Sequence, residues 1–173
     1  MGFSGSFVLA RSANVEDIDW IEGEPFESSV RSTSGGDWLS ARYDDEDPYW
    51  AREENLAGLV TQSQSPALVA LCLDSDFLAI AGRSTDSTQW DGVIGAGAAA
   101  SYRAEGLQEG YDVVVPTFMR PDRGVAGAVA WSYAAGLLAD ETALTRMLSS
   151  MDSIQPADAF WDDLLDALGL GNG

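Results

Sequence analysis

The chain has 173 residues, of which 46% are hydrophobic, enough to bury one core in a single domain spanning residues 1–173. Its 28 acidic residues outnumber 9 basic ones, all arginine, for a formal net charge of −19, and there is no lysine and no histidine. These absences exclude histidine-based nucleophile pairs, imidazole general bases, His-containing zinc sites, lysine Schiff bases and Walker-type phosphate loops. With Cys72 the lone cysteine, thiolate zinc sites and internal disulfides are excluded as well.

The charge argues against nucleic acid, whose phosphates a protein must neutralise in order to bind, and against anionic membrane surfaces. It favours a basic protein partner. No stretch approaches 18 consecutive apolar residues and no basic region precedes an apolar core near Met1, so the expectation is a cytoplasmic protein with no membrane contact. The opening MGFSGS fits the loose acylation pattern at Gly2 and Ser6, but one acyl chain holds an acidic protein to a membrane only weakly.

In chain order, Phe7–Ala10 reads as a first strand, and residues 28–37, rich in Ser, Gly and Thr, read as a loop. Residues 37–43 alternate Trp38, Ser40 and Arg42 with Leu39, Ala41 and Tyr43, which predicts an edge strand. The acidic run Asp44, Asp45, Glu46 and Asp47 precedes Pro48, and a helix capped by Asp47 is expected to end near Gln64, before Pro66. Two apolar runs, 67–73 and 77–82, flank Asp74, Ser75 and Asp76 and predict a central antiparallel hairpin.

Residues 90–103 read as a Gly/Ala-rich helix, and "DVVVPTF" (112–118) as an extended run. Farther on, residues 124–139 predict a helix that buries Val125, Val129, Ala130, Tyr133 and Leu137. Asp140 and Glu141 open another helix, with Leu144, Met147 and Leu148 turned inward. The last helix sets Phe160, Trp161, Leu164, Leu165 and Leu168 against Asp158, Asp162, Asp163 and Asp166, with Gly169 as its stop. The expected fold is therefore α+β, a small mainly antiparallel sheet with helices packed on one face and a helical C-terminal half.

Three constellations bear on function. Gly95-Ala96-Gly97-Ala98-Ala99-Ala100 matches the GxGxx(G/A) turn of dinucleotide-binding folds. Only Val93 and Ile94 offer a preceding strand, and Asp112 or Asp122 is misplaced for a ribose, so the segment reads as packing and no cofactor is expected. Asp74 and Asp76, following an apolar strand, resemble the DxD of haloacid-dehalogenase-type phosphatases and of metal-using glycosyltransferases; the resemblance covers about ten residues, and the phosphatase lysine is missing. A tight turn explains the same aspartates. Asp44–Asp47 lack the spacing of a calcium loop, and together with Tyr49 and Trp50 they form a candidate surface for a basic partner, the aromatic rings acting as anchors.

The segments MGFSGSFVLARS, ALVALCLDSDFLAIAGRS, AGLLADETAL and LLDALGL resemble a group of short actinobacterial proteins that open MGxSGxxVxARS. That resemblance implies a single-domain cytoplasmic protein and carries no activity or site residue. The leading expectation is a non-catalytic acidic interaction module of inhibitor or immunity type. The alternatives are a carboxylate-based, metal-assisted enzyme using Asp74 and Asp76, and a scaffolding or homo-oligomeric role.

Overall fold

The structure, a computed structural model, describes residues 2–12, 25–44, 53–104, 121–150 and 156–171. Six strands, β1 (Gly5–Ala10), β2 (Glu27–Thr33), β3 (Gly36–Tyr43), β4 (Ala67–Leu73), β5 (Phe77–Arg83) and β6 (Gln89–Ile94), form one sheet in the order β2-β3-β1-β4-β5-β6. Every neighbouring pair is antiparallel. Because β1 lies between β3 and β4 and opposes both, those two strands run in the same direction. The chain joins them by a crossover that carries α1 (Glu53–Ser63).

The helices complete three layers. On one face α1 and α2 (Ala96–Ala104) cover Val8, Leu39, Ala41, Val69, Leu71, Ala79 and Val93. On the other, α3 (Pro121–Ala134), α4 (Glu141–Leu148) and α5 (Phe160–Leu165) cover Phe7, Leu9, Trp38, Leu68, Ala70, Leu78, Ile80 and Ile94. The α+β class, the antiparallel sheet and the helical C-terminal half are as expected, and α3, α4 and α5 share one face. The opposite face is covered too, so β1 and β4 are buried along their whole length and read as continuous apolar runs instead of alternating ones.

Local choices explain several departures from the sequence reading. Residues 28–37 are not a loop: β2 occupies Glu27–Thr33 and turns through Ser34 and Gly35 into β3. A strand exposed over most of its length does not need apolar residues, so small hydroxyl side chains disguise it. With β2 outside it, β3 is an interior strand and not an edge. The hairpin 67–73/77–82 is present with one more residue, Arg83, and it is central.

The helix expected over 90–103 begins only at Ala96, because Gln89–Ile94 pairs with β5 as a strand whose exposed Gln89 and Asp91 hide its alternation. Trp90 explains the glycines around it: a Cβ on Gly82 would overlap its indole, and one on Gly127 would overlap its Cβ. The ring is thus sandwiched between β5 and α3.

Helix α3 meets its expectation in part: Val125 is buried, and Val129 and Leu137 pack against the core from partly buried positions. Val125, Ala128, Trp131, Ser132 and Ala135 are buried, whereas Tyr133 is 85% exposed and Ala130 lies outside. Trp131 decides this rotation, since its Nε1 donates to the Ala67 and Arg83 carbonyls at 3.0 and 3.2 Å. The helix ends before 139 because Gly136, at φ 74°, closes it: Gly136 N–H donates to the Tyr133 carbonyl and Leu137 N–H to that of Ser132.

The last two helices match their expectations closely. Asp140 caps α4 by accepting from Ala143 N–H at 2.9 Å, and Leu144, Met147 and Leu148 are buried. Trp161, Leu164, Leu165 and Leu168 are buried on α5 and its continuation Asp166–Leu170, where Gly169 takes φ 96°. The helix start expected at Asp47 and Pro48 and the extended run expected over 112–118 fall outside the described residues.

Candidate functional site

The strand register assembles a polar row at the β2 end of the sheet. Glu27 sits opposite Arg42, which sits opposite Phe7; one step along, Ser29 faces Ser40, which faces Leu9; next, Arg31 faces Trp38. Strand periodicity places all of these on the face covered by α5. A short 3-10 turn, Ala157–Ala159, brings Asp158 over the row, and α5 follows with Trp161 and Asp162.

Three contacts hold this helix on the sheet. Trp161 stacks on Phe7 with ring centres 4.9 Å apart, and its Nε1 donates to Ser40 Oγ at 2.9 Å. Arg31 reaches across from β2: one guanidinium nitrogen donates to Asp162 at 2.6 Å, the other to Asp166 at 2.5 Å and to the Leu170 carbonyl at 3.1 Å. The third contact is an ion pair between Arg42 and Asp158 at 3.7 Å, too long for a hydrogen bond. The Arg42 guanidinium lies 3.6 Å over Phe3, with Phe26 and Phe7 at 5.6 and 5.7 Å.

Between strand row and helix remains a pocket of about 90 Å³, lined by Phe7, Glu27, Ser28, Ser29, Ser40, Arg42, Asp158, Trp161 and Asp162. Three of these are carboxylates and one is a guanidinium, so the pocket is net acidic. Asp158 Oδ1 and Arg42 Nε are both buried without a hydrogen-bond partner. The field extends into the core, where burial first, then the Asp158 charge, pushes the Cys72 thiol up to about 12. A pocket of this kind has fixed donors and acceptors on aromatic walls, the equipment of recognition.

Among residues singled out in the sequence, Asp44 is exposed just beyond β3, two positions from Arg42, while Asp45, Glu46, Asp47, Tyr49 and Trp50 lie outside the described residues. Asp74 and Asp76 occupy the exposed β4–β5 turn, where Asp74 and Ser75 have φ of 49° and 58° and Asp76 N–H donates to the Leu73 carbonyl. Asp74 Oδ1 accepts from Gly2 N–H at 2.8 Å. Among the described residues no three acidic, Cys or His side chains converge as metal ligands would, so the convergence required of a metal-assisted enzyme is not found there.

The glycine motif also finds its place. A turn at Gly95, φ 80°, does join β6 to α2, but β6 is antiparallel to β5, whereas dinucleotides bind at the carboxyl ends of parallel strands. A Cβ on Gly95 would come within 2.6 Å of the Asp76 carbonyl, so close packing accounts for the glycine.

Sequence reasoning missed Ser28 and Ser29 by assigning them to a loop, gave Glu27 no role, and set Asp158 and Asp162 on the polar side of the last helix. The signal available for the site was Arg31, the one basic residue between Arg11 and Arg42. Comparisons with protein-family models, with curated proteins and with solved structures find no match.

Proposed function

We propose that the protein is a non-catalytic, acidic interaction module of the cytoplasm that binds a basic protein partner through the face formed by β2 and α5. The observation that carries this reading is the gathering of Glu27, Asp158, Asp162, Asp163 and Asp166 beside an exposed strand. Phe26, 68% exposed, supplies apolar contact next to these charges. Such a patch on a chain of net charge −19 accelerates encounter with a cationic surface and rejects polyanions.

The test is affinity capture from native lysate at low and moderate salt, with a Glu27→Gln/Asp163→Asn double variant alongside. A basic protein retained by the natural chain and lost from the variant supports the reading. Retention of no basic protein at either salt, or equal retention by the variant, overturns it.

A further inference from the structure

We infer that the free edge of β2 takes an extended basic segment of the partner as a seventh, antiparallel strand of the sheet; this rests on the interaction reading above and names the form in which the partner is held. The ladder fixes which groups are on offer. Thr33 and Gly36 close the turn through Ser34 and Gly35 as a hydrogen-bonded pair, so Arg31, Ser29 and Glu27 also bond to β3. The N–H and C=O groups of Ser28, Val30 and Ser32 therefore point away from the sheet, and among the described residues no strand pairs with them. Glu27, Ser28, Ser29, Val30 and Ser32 are exposed.

Sheet edges are ordinarily guarded by proline, lysine, a charge on the strand or a covering element. The opposite edge is guarded: β6 carries Asp91, and α3 presses on it so closely that a Cβ on Gly124 would lie 3.1 Å from the Asp91 carbonyl. Strand β2 has neither proline nor lysine, and its one cation, Arg31, is drawn onto the last helix by Asp162 and Asp166. Charge selects the occupant. On the helix side of the edge Glu27, Asp162 and Asp166 outnumber Arg31, so a strand laid there needs basic side chains at the alternate positions facing that side. On the other side Ser28 and Val30 suit threonine or valine. A second copy would instead bring a further net charge of −19 against these carboxylates.

The probe is a capped peptide of about seven residues in which arginine alternates with threonine and valine, the length of strand that β2 can pair. Amide shifts and hydrogen exchange at Ser28, Val30 and Ser32 of the ¹⁵N-labelled protein report on the edge. Saturable binding with slowed exchange of those amides is expected, and a peptide with glutamate in place of arginine does not bind. With the arginines on the helix side, the threonine and valine amides face β2. Methylating those nitrogens weakens binding about tenfold or more, as for hydrogen bonds that lose their donors, whereas methylating the arginine nitrogens leaves it unchanged. Val30→Pro removes an outward N–H that β3 does not use, a place where proline is tolerated, and weakens binding to the same degree. Thermal unfolding checks that this variant folds.

No saturable shift with the arginine peptide, equal binding of the glutamate peptide, or equal binding after methylation at threonine and valine overturns the inference. Slowed exchange of the same amides in the protein alone at rising concentration assigns the edge to a second copy and overturns it too. The two readings fail separately. If the peptide binds as expected but no basic protein is captured, the partner reading falls and the strand site stands. If a basic protein is captured equally by Val30→Pro, the strand site falls and the partner reading stands.

Discussion

Replacing Arg31 by methionine keeps the aliphatic stem and removes the guanidinium that ties β2 to the last helix. Its side chain is 11% exposed, whereas those of Asp162 and Asp166 are 76% and 57% exposed. Carboxylates so well hydrated contribute little as partners, about 0.5 kcal/mol each. The Leu170 carbonyl, part-buried, loses its donor at a cost of about 1 kcal/mol. The sum, about 2 kcal/mol, corresponds to a fall in Tm of about 4–8 °C for a chain of this length. Thermal unfolding followed by circular dichroism measures it.

Because two of the three partners are exposed, raising the salt to about 1 M, where the screening length is about 3 Å, should shrink the difference by about half. Arg31→Lys should restore less than half of the loss, since one ammonium cannot span Asp162, Asp166 and the Leu170 carbonyl as the fork does. A methionine variant within about 0.5 kcal/mol of the natural protein would place it among ordinary surface substitutions and refute the clamp. Full rescue by lysine would refute the role of fork geometry.

Three further outcomes follow from the packing and the titration of buried groups. Gly82→Ala forces a methyl into the Trp90 indole, itself blocked on the other side by Gly127, and should cost about 1–3 kcal/mol in denaturant unfolding. Tyr133→Ala should change stability by less than about 0.5 kcal/mol, while Trp131→Phe, which strands two strand-end carbonyls, should cost about 2 kcal/mol. Burial raises both the Cys72 thiol and the Tyr43 hydroxyl to about 12, from ordinary values of 9.0 and 10.0. The neutral forms favour the folded state, so their contribution is complete below about pH 9 and is lost as the pH rises toward 12. Melting temperatures measured from pH 8 to 11 should fall, and Cys72→Ala with Tyr43→Phe should flatten the decline.

Local pattern alone determined much of this protein. The apolar runs of β4 and β5 define a hairpin, Asp140 and the spacing of Leu144, Met147 and Leu148 define α4, and the Trp161–Leu168 stripe sets the buried face of the last helix. In each of these the residues that form the element also bury its inner face, so periodicity and caps suffice. Composition likewise removed histidine and lysine chemistry before any fold was known.

Tertiary structure decided the rest. Strand β2 exists because β3 offers a ladder of backbone partners, and its Ser-rich sequence carries no trace of that. The inward face of α3 follows from Trp131 reaching two carbonyls that lie 64 and 48 residues earlier in the chain. The pocket itself joins Glu27 and Arg42 to Asp158 and Asp162, more than 100 residues apart, through sheet register and helix docking. Side-chain period reports which face of its own element a residue occupies; which other element that face meets is fixed by packing over distances the period does not encode.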